Sequence, residues 1–142
     1  MSEYKISELS KNDYHLGFLE LLEQLTSVDA KSISYDEFND HFDKIKSNIF
    51  VVKYNEKIIA TASLLIEPKF IHRLSSVGHI EDVVIDKNYR NNGLGKLLIN
   101  HCVNYAKQNG CYKIILNCSS SNIGFYEKCG FINNNVEMAM YI

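Results

Sequence analysis

The 142-residue chain has no excess of either charge, no long apolar run and a single proline. Fifteen Lys and Arg stand against 17 Asp and Glu, a formal net charge of −2. Nothing in that balance marks a surface for nucleic acid or an anionic membrane, so neither is expected as a partner. No apolar stretch approaches the roughly 18 residues that cross a bilayer. The start, Met1 to Glu8, is polar and mixed in charge, which predicts no signal peptide. Cysteines are few: Cys102, Cys111, Cys118 and Cys129, at spacings that match no zinc or redox pattern. His15, His41 and His101 fall on helical stretches without a second ligand at metal spacing, so no metal is expected. The cysteines read as free thiols, mostly small core fillers, in a reducing cytoplasm. Pro68 is alone, and no repeat or linker breaks the chain, so one domain over residues 1–142 is expected.

What is present is an ordinary globular mixture, 46% hydrophobic and 23% charged. Tyr4 to Glu8 reads as a short strand. Tyr14, Phe18, Leu21, Leu22 and Leu25 recur at helical spacing and predict a helix from Asp13 to about Leu25. Ser34-Tyr35-Asp36-Glu37 is a capping box, opening a helix with Phe38, Phe42 and Ile45 on its apolar face. Ile49–Tyr54 and Lys57–Glu67 read as a hairpin turning at Asn55-Glu56, and Gly78–Ile85 as the next strand. Leu94, Leu97, Leu98, Cys102, Val103 and Tyr105 trace the buried face of a third helix ending near Gly110. Lys113–Cys118 reads as a central strand. A short helix capped by Ser121 or Asn122 runs through Lys128 and stops at Gly130. Phe131 and Val136–Ile142 are expected to finish the chain as strand. The fold class is α/β with a mixed sheet flanked by helices.

The chemistry concentrates after the third long strand. Val83-Val84-Ile85 leads into Asp86-Lys87-Asn88-Tyr89-Arg90-Asn91-Asn92-Gly93-Leu94-Gly95-Lys96, and a long helix follows at once. Glycines permit positive φ and close backbone approach. The amides of the first helical turn lack intrahelical acceptors, and the helix dipole stands behind them, so the loop suits an anion such as a pyrophosphate. It lacks the upstream glycine and the Ser or Thr of a Walker loop, and a third glycine of a dinucleotide fingerprint. Read alone, the loop is equally a helix start with glycines for packing. Glu81 and Asp82 are adjacent acids in an apolar strand, where strict alternation would send one toward each face, a costly arrangement for a charge without a partner.

Arg90-x-x-Gly93-x-Gly95 fits the R/Q-x-x-G-x-G/A signature of the GNAT N-acetyltransferase superfamily. Further strings follow in order: Lys69-Phe70-Ile71-His72, His79-Ile80-Glu81-Asp82-Val83-Val84, Gly93 to Leu98, Cys111-Tyr112-Lys113-Ile114, Asn122-Ile123-Gly124-Phe125-Tyr126 and Gly130-Phe131. Together, from about Tyr4 to Met140, they resemble the glucosamine 6-phosphate N-acetyltransferase family. The resemblance implies a sheet splayed at an acetyl-CoA cleft and a small amino sugar phosphate as acceptor. It also implies a homodimer with shared active sites, in a step that feeds UDP-N-acetylglucosamine synthesis.

The same resemblance assigns roles. Arg90, Asn91, Asn92, Gly93, Leu94, Gly95 and Lys96 would hold the pyrophosphate, with Gly95 leaving room for it. A bulge at Glu81 and Asp82 would re-aim both acids and admit the pantetheine arm. Backbone of Val83, Val84 and Ile85 would bind that arm and the thioester oxygen. Tyr126 would protonate the leaving thiolate. Glu81 or Asp82 would contact the sugar and accept the ammonium proton. Asn117 stands where the family usually carries Asp or Glu, and either its carbonyl serves or the two acids carry the base role. Asn122 would touch the cofactor, although capping explains it equally well. Thr26, Lys69, Phe70, Ile71, His72, Val83, Tyr112 and Lys113 are implied substrate contacts, with Arg73 a further cation for the phosphate. Tyr141 replaces an Arg that close relatives use there. The apolar last strand would otherwise be a sticky edge, which points to a dimer interface. Two rival readings stay open: an acetyltransferase for another small amine or a protein amine, and a non-catalytic acetyl-CoA sensor or nucleotide-binding module. The sensor would need neither Tyr126 nor the paired acids.

Overall fold

The computed structural model describes residues 4–142; Met1–Glu3, part of the polar start, lie outside the described residues. Five strands form one sheet in the order β1-β2-β3-β4-β5. They are β1 (Lys5–Glu8), β2 (Asn48–Tyr54), β3 (Lys57–Pro68), β4 (Ser76–Ile85) and β5 (Cys111–Leu116). All neighbours are antiparallel except β4 and β5, which run parallel. That parallel pair needs a crossover, and the long helix α4 (Leu94–Gln108) supplies it. The tight hairpin between β2 and β3 turns at Asn55 and Glu56 with φ of 51° and 58°, the pair of positive φ values a two-residue turn demands.

Each face of the sheet buries its own core. On one side α4 sets Leu94, Leu98, Ile99, Cys102 and Ala106 against Phe50, Val52, Ala60, Ala62, Leu64 and Ile80. On the other, α1 (Phe18–Leu22) and α2 (Tyr35–Phe42) cover Val51, Ile58 and Val84. The capping box at Ser34 forms as read: its Oγ accepts the Glu37 amide at 3.1 Å, and Glu37 Oε1 accepts the Ser34 amide at 3.0 Å. α4 ends at Gln108, and Gly110 follows with φ of 77°. No helix among the described residues is long and apolar enough to cross a membrane.

Several expectations need correction. The first helix is broken: a 3₁₀ turn over Lys11–Leu16 ends at Gly17, whose φ of 83° cannot continue a right-handed helix. The second helix stops at Phe42, leaving Ile45 beyond it. The buried stripe of α4 is rotated from the reading, with Leu97 42% exposed and Ile99 and Ala106 fully buried. The strand read as central, β5, is an edge of this chain's sheet. Neither Phe131 nor Val136–Ile142 forms a strand, because no edge of the chain's own sheet pairs with them. Val136, Met138, Met140, Tyr141 and Ile142 stand almost wholly in solvent. Among the cysteines Cys102 is buried and Cys111 and Cys129 pack against the core, whereas Cys118 is exposed; all four are free.

Candidate active site

The sheet opens where β4 changes register. Ser63 faces Glu81 but Thr61 faces Val84, so Ala62 alone opposes both Asp82 and Val83. This is a β-bulge, and Asp82 adopts φ of 52° to make it. The extra residue inverts the alternation. Ile80, before it, packs under α4, whereas Val84, after it, packs on the opposite core. Pairing with β5 stops at the same point, at Ile80 opposite Leu116. From Glu81 to Ile85 one edge of β4 has no strand beside it, and the splay is real.

The conflict over two adjacent acids is thereby resolved. Glu81 and Asp82 are both exposed, and neither has a side-chain hydrogen bond or ion pair among the described residues. Val83 and Ile85 turn their side chains to the α4 core, so they can offer a ligand only backbone. Asp86 donates its amide to Ile59 O at 2.7 Å on the β3 side. Amide direction alternates along a strand, so the amides of Ile85 and Val83 point to the open side.

Asp86 begins the loop and is itself almost fully buried. Burial would raise its carboxyl. The Asn88 amide at 2.9 Å and the Lys57 ammonium at 3.5 Å outweigh that and hold it below the usual range. Sequence reading missed this residue; Asp followed two places on by a loop Asn is the spacing of an Asx-turn and was the available signal. Arg90 folds back, Nε donating to Ile85 O at 3.1 Å, and Asn92 donates to Tyr89 O at 3.3 Å. Asn91 and Gly93 take φ of 66° and 78°, which swings the chain into α4. Leu94 is buried and anchors that start. The first intrahelical bond runs from the Leu97 amide to Gly93 O, leaving the amides of Leu94, Gly95 and Lys96 without helical acceptors.

Gly95 corrects one expectation. A Cβ there would lie 2.9 Å from Phe125 Cζ. The room that glycine leaves is filled by the ring of α5 (Ile123–Lys128), so its smallness serves close packing of α4 on α5. That contact brings the loop beside Tyr126. Tyr126 is 9% exposed and packs edge-on against Phe125 and Phe131 at centroid distances of 4.9 and 6.0 Å. Burial, then the nearby Cys118 and Cys129 thiols, push its phenol above its ordinary value. It therefore carries its proton at neutral pH. Asn122 precedes α5 but makes no capping bond, so the capping explanation fails, and its exposed side-chain amide has no hydrogen-bond partner among the described residues. Asn117 is exposed and donates Nδ2 to Glu137 Oε2 at 3.0 Å.

A second cluster forms at the far end of β3 and β4. The single turn α3 (Ile71–Leu74) winds left-handed, with His72 at φ 50°, ψ 45° and Arg73 at φ 55°, ψ 55°. Such residues cost of order 1–3 kcal/mol each and persist only where neighbours hold them. Ser75 Oγ donates to His72 O at 2.6 Å, and Lys69 N donates to Ser75 O at 2.9 Å. The His72 ring stacks on Tyr112 at 4.0 Å, and Lys113 Nζ lies 5.6 Å from the same ring. His72, Tyr112 and Lys113 thus come together as the sequence implied. Lys69 is partly engaged, 3.7 Å from Glu67, whose carboxyl His79 and then Lys69 hold below its usual range. Phe70 is 91% exposed and Ile71 and Leu74 are largely so. Thr26 sits apart, in the loop Glu23–Asp29 that lines an open cavity of about 530 Å³. Tyr141, at 96% exposure, touches neither cluster. No group of His, Cys, Asp and Glu among the described residues is arranged to hold a metal.

Residues 15–131 match the family model of the Acetyltransferase (GNAT) family. A glucosamine 6-phosphate N-acetyltransferase of Arabidopsis thaliana is 41% identical, covering 97% of this chain and 96% of its own length. One from Dictyostelium discoideum is 42% identical over 94% of this chain and 88% of its own. The crystal structure of the Arabidopsis thaliana enzyme superposes with a TM-score of 0.93 over 98% of both chains at 40% identity.

The Gly95 contact is testable without a ligand. Helix propensity alone favours alanine by about 1 kcal/mol, yet overpacking against Phe125 should cost about 1–3 kcal/mol. Urea unfolding should show Gly95→Ala destabilised. In a Phe125→Leu background the same change should become neutral or stabilising. Equal effects in both backgrounds would contradict the contact.

Proposed function

The chain belongs to the acetyltransferase (GNAT) family, and we propose that it moves the acetyl group of acetyl-CoA to the amine of D-glucosamine 6-phosphate. The products are N-acetyl-D-glucosamine 6-phosphate and CoA. The observation that carries this reading is the similarity of about two-fifths over nearly the whole length to enzymes named for that reaction. The rival sensor reading is disfavoured by the two unpaired acids and the buried, protonated phenol, groups that binding alone does not need.

In the proposed mechanism the amide-rich start of α4, with Arg90 and Lys96, receives the pyrophosphate, and the open edge of β4 receives the pantetheine arm. Its Val83 and Ile85 amides point to where the thioester oxygen gains charge. The substrate ammonium gives a proton to Glu81 or Asp82, directly or through water. The freed amine attacks the carbonyl carbon, a C–N bond forms and the C–S bond breaks. Tyr126 passes its proton to the departing thiolate, and the second proton that the acylated nitrogen sheds as it becomes the amide returns to the phenolate through solvent. With its side-chain amide engaged by Glu137, Asn117 acts through its main-chain carbonyl. Lys113, His72, Arg73 and Lys69 take the phosphate, covering for the family Arg that Tyr141 replaces. Thr26, Phe70, Ile71 and Tyr112 complete the sugar site, and Asn122 contacts the cofactor.

The whole chain acts as one acetyltransferase domain, in the cytoplasm, at a step feeding UDP-N-acetylglucosamine. It works as a twofold dimer. In support, residues 132–142 run without secondary structure and bare Ile132, Val136, Met138, Met140 and Ile142, while β5 leaves an open edge. An apolar segment and an unpaired edge are complementary needs.

Release of free thiol from acetyl-CoA, followed with a panel of amines, tests the assignment. We expect kcat/KM for glucosamine 6-phosphate to exceed that for glucosamine at least tenfold, about 1.4 kcal/mol. Equal use of the two sugars refutes the phosphate site. In the same assay Tyr126→Phe should lower kcat by about 10²- to 10⁴-fold with little change in KM for acetyl-CoA. Assembly is checked by light scattering at micromolar protein, where a mass of one chain would overturn the dimer.

A further inference from the structure

α1 ends at Leu22, and the chain turns through Glu23–Asp29 before a 3₁₀ turn at Ala30–Ser32. This loop is nearly all exposed and is tied mainly at its ends. The Thr26 amide donates to Leu22 O at 3.1 Å, and Glu23 Oε2 accepts the Ala30 amide at 2.9 Å. One bond runs elsewhere. Gln24 Oε1 accepts the Lys87 amide at 2.9 Å, from a residue 63 places along the chain. Among the described residues this is the one side-chain hydrogen bond from the Glu23–Asp29 loop to the segment Asp86–Gly95.

We propose that Gln24 is a positioning residue that couples the two substrate sites, making the Thr26 loop follow the Arg90–Lys96 loop. The proposal rests on the acetyltransferase reading, in which the first loop meets the amino sugar and the second meets CoA. Glutamine suits the task because its side-chain oxygen accepts from the Lys87 backbone amide, next in the chain to Asp86. Asp86 is a firm anchor: it is buried, bonded to the Asn88 amide and paired with Lys57 on the hairpin. Lys87 and Asp86 begin the segment that closes on the pyrophosphate, so ordering there passes through Gln24 to the loop bearing Thr26. Coupling of this kind is reciprocal: CoA strengthens sugar binding by the same factor that the sugar strengthens CoA binding. Gln24 itself touches neither substrate.

The experiment compares wild type with Gln24→Met, which keeps the length of an exposed side chain and removes the bond to Lys87. Hydrogen exchange is read on the full chain with and without CoA. In wild type CoA should slow exchange at Thr26–Ala30 as well as at the Arg90–Lys96 loop; in Gln24→Met it should slow only the second. Calorimetry of glucosamine 6-phosphate binding should show affinity raised about fivefold or more by CoA in wild type, and less than twofold in the variant, with CoA's own affinity and the melting temperature near wild type. CoA-induced protection at Thr26–Ala30 that persists in Gln24→Met, or is absent from wild type, overturns the proposal. Protection that depends on Gln24 in a protein that fails to bind the sugar supports the coupling and refutes the substrate.

Discussion

One extra residue in β4 is the constraint on which the site depends. With Asp82 and Val83 both set against Ala62, the strand cannot keep its alternation or its line. Ile80 and Val84 end up in opposite cores, and both are well buried, so packing on two sides holds the bulge in place. The left-handed Asp82 costs of order 1–3 kcal/mol. In return the edge of β4 parts from β5, and backbone groups that would have been used in a ladder become available. Exposing two acids at the same point is the second consequence of the same shift.

The remaining parts are arranged around that opening by separate devices. Asp86 fixes the exit of β4 through Asn88 and Lys57, and Gly93 sets the angle of α4. Gly95 lets α5 approach until Phe125 fills its missing side chain, which places Tyr126 in the packed layer between Phe125 and Phe131. Burial there keeps the phenol protonated, as an acid for a thiolate must be. At the other end, the strained turn of His72 and Arg73 is held by Ser75 and by stacking on Tyr112. Rigid packing supports the end proposed for acyl transfer, whereas local strain and stacking shape the end proposed for the phosphate.

Much of this was legible because it is local. The capping box at Ser34, the hairpin at Asn55-Glu56, the glycine entering α4 and the pattern Arg90-x-x-Gly93-x-Gly95 each act within a few residues. What escaped was set by distant partners. Gly17 fits a helical spacing, and only its φ of 83° reveals the break. The apolar alternation of Val136–Met140 looks like a strand, but a strand also needs an edge to pair with, and that is not written in the segment. Gly95 reads as a ligand cradle until Phe125 is seen against it. Gln24 lies in a polar loop with no periodic signal, and its partner is 63 residues away.

The most direct test of the bulge as the origin of the cleft is to delete Asp82 and measure CoA affinity by calorimetry, with Asp82→Gly as the control. Glycine takes φ of 52° without strain and keeps the extra residue, so the control should bind CoA as wild type does. The deletion should still unfold cooperatively, because β3 and β4 regain a regular ladder, and should bind CoA at least tenfold more weakly. A folded deletion variant with wild-type CoA affinity would contradict the account.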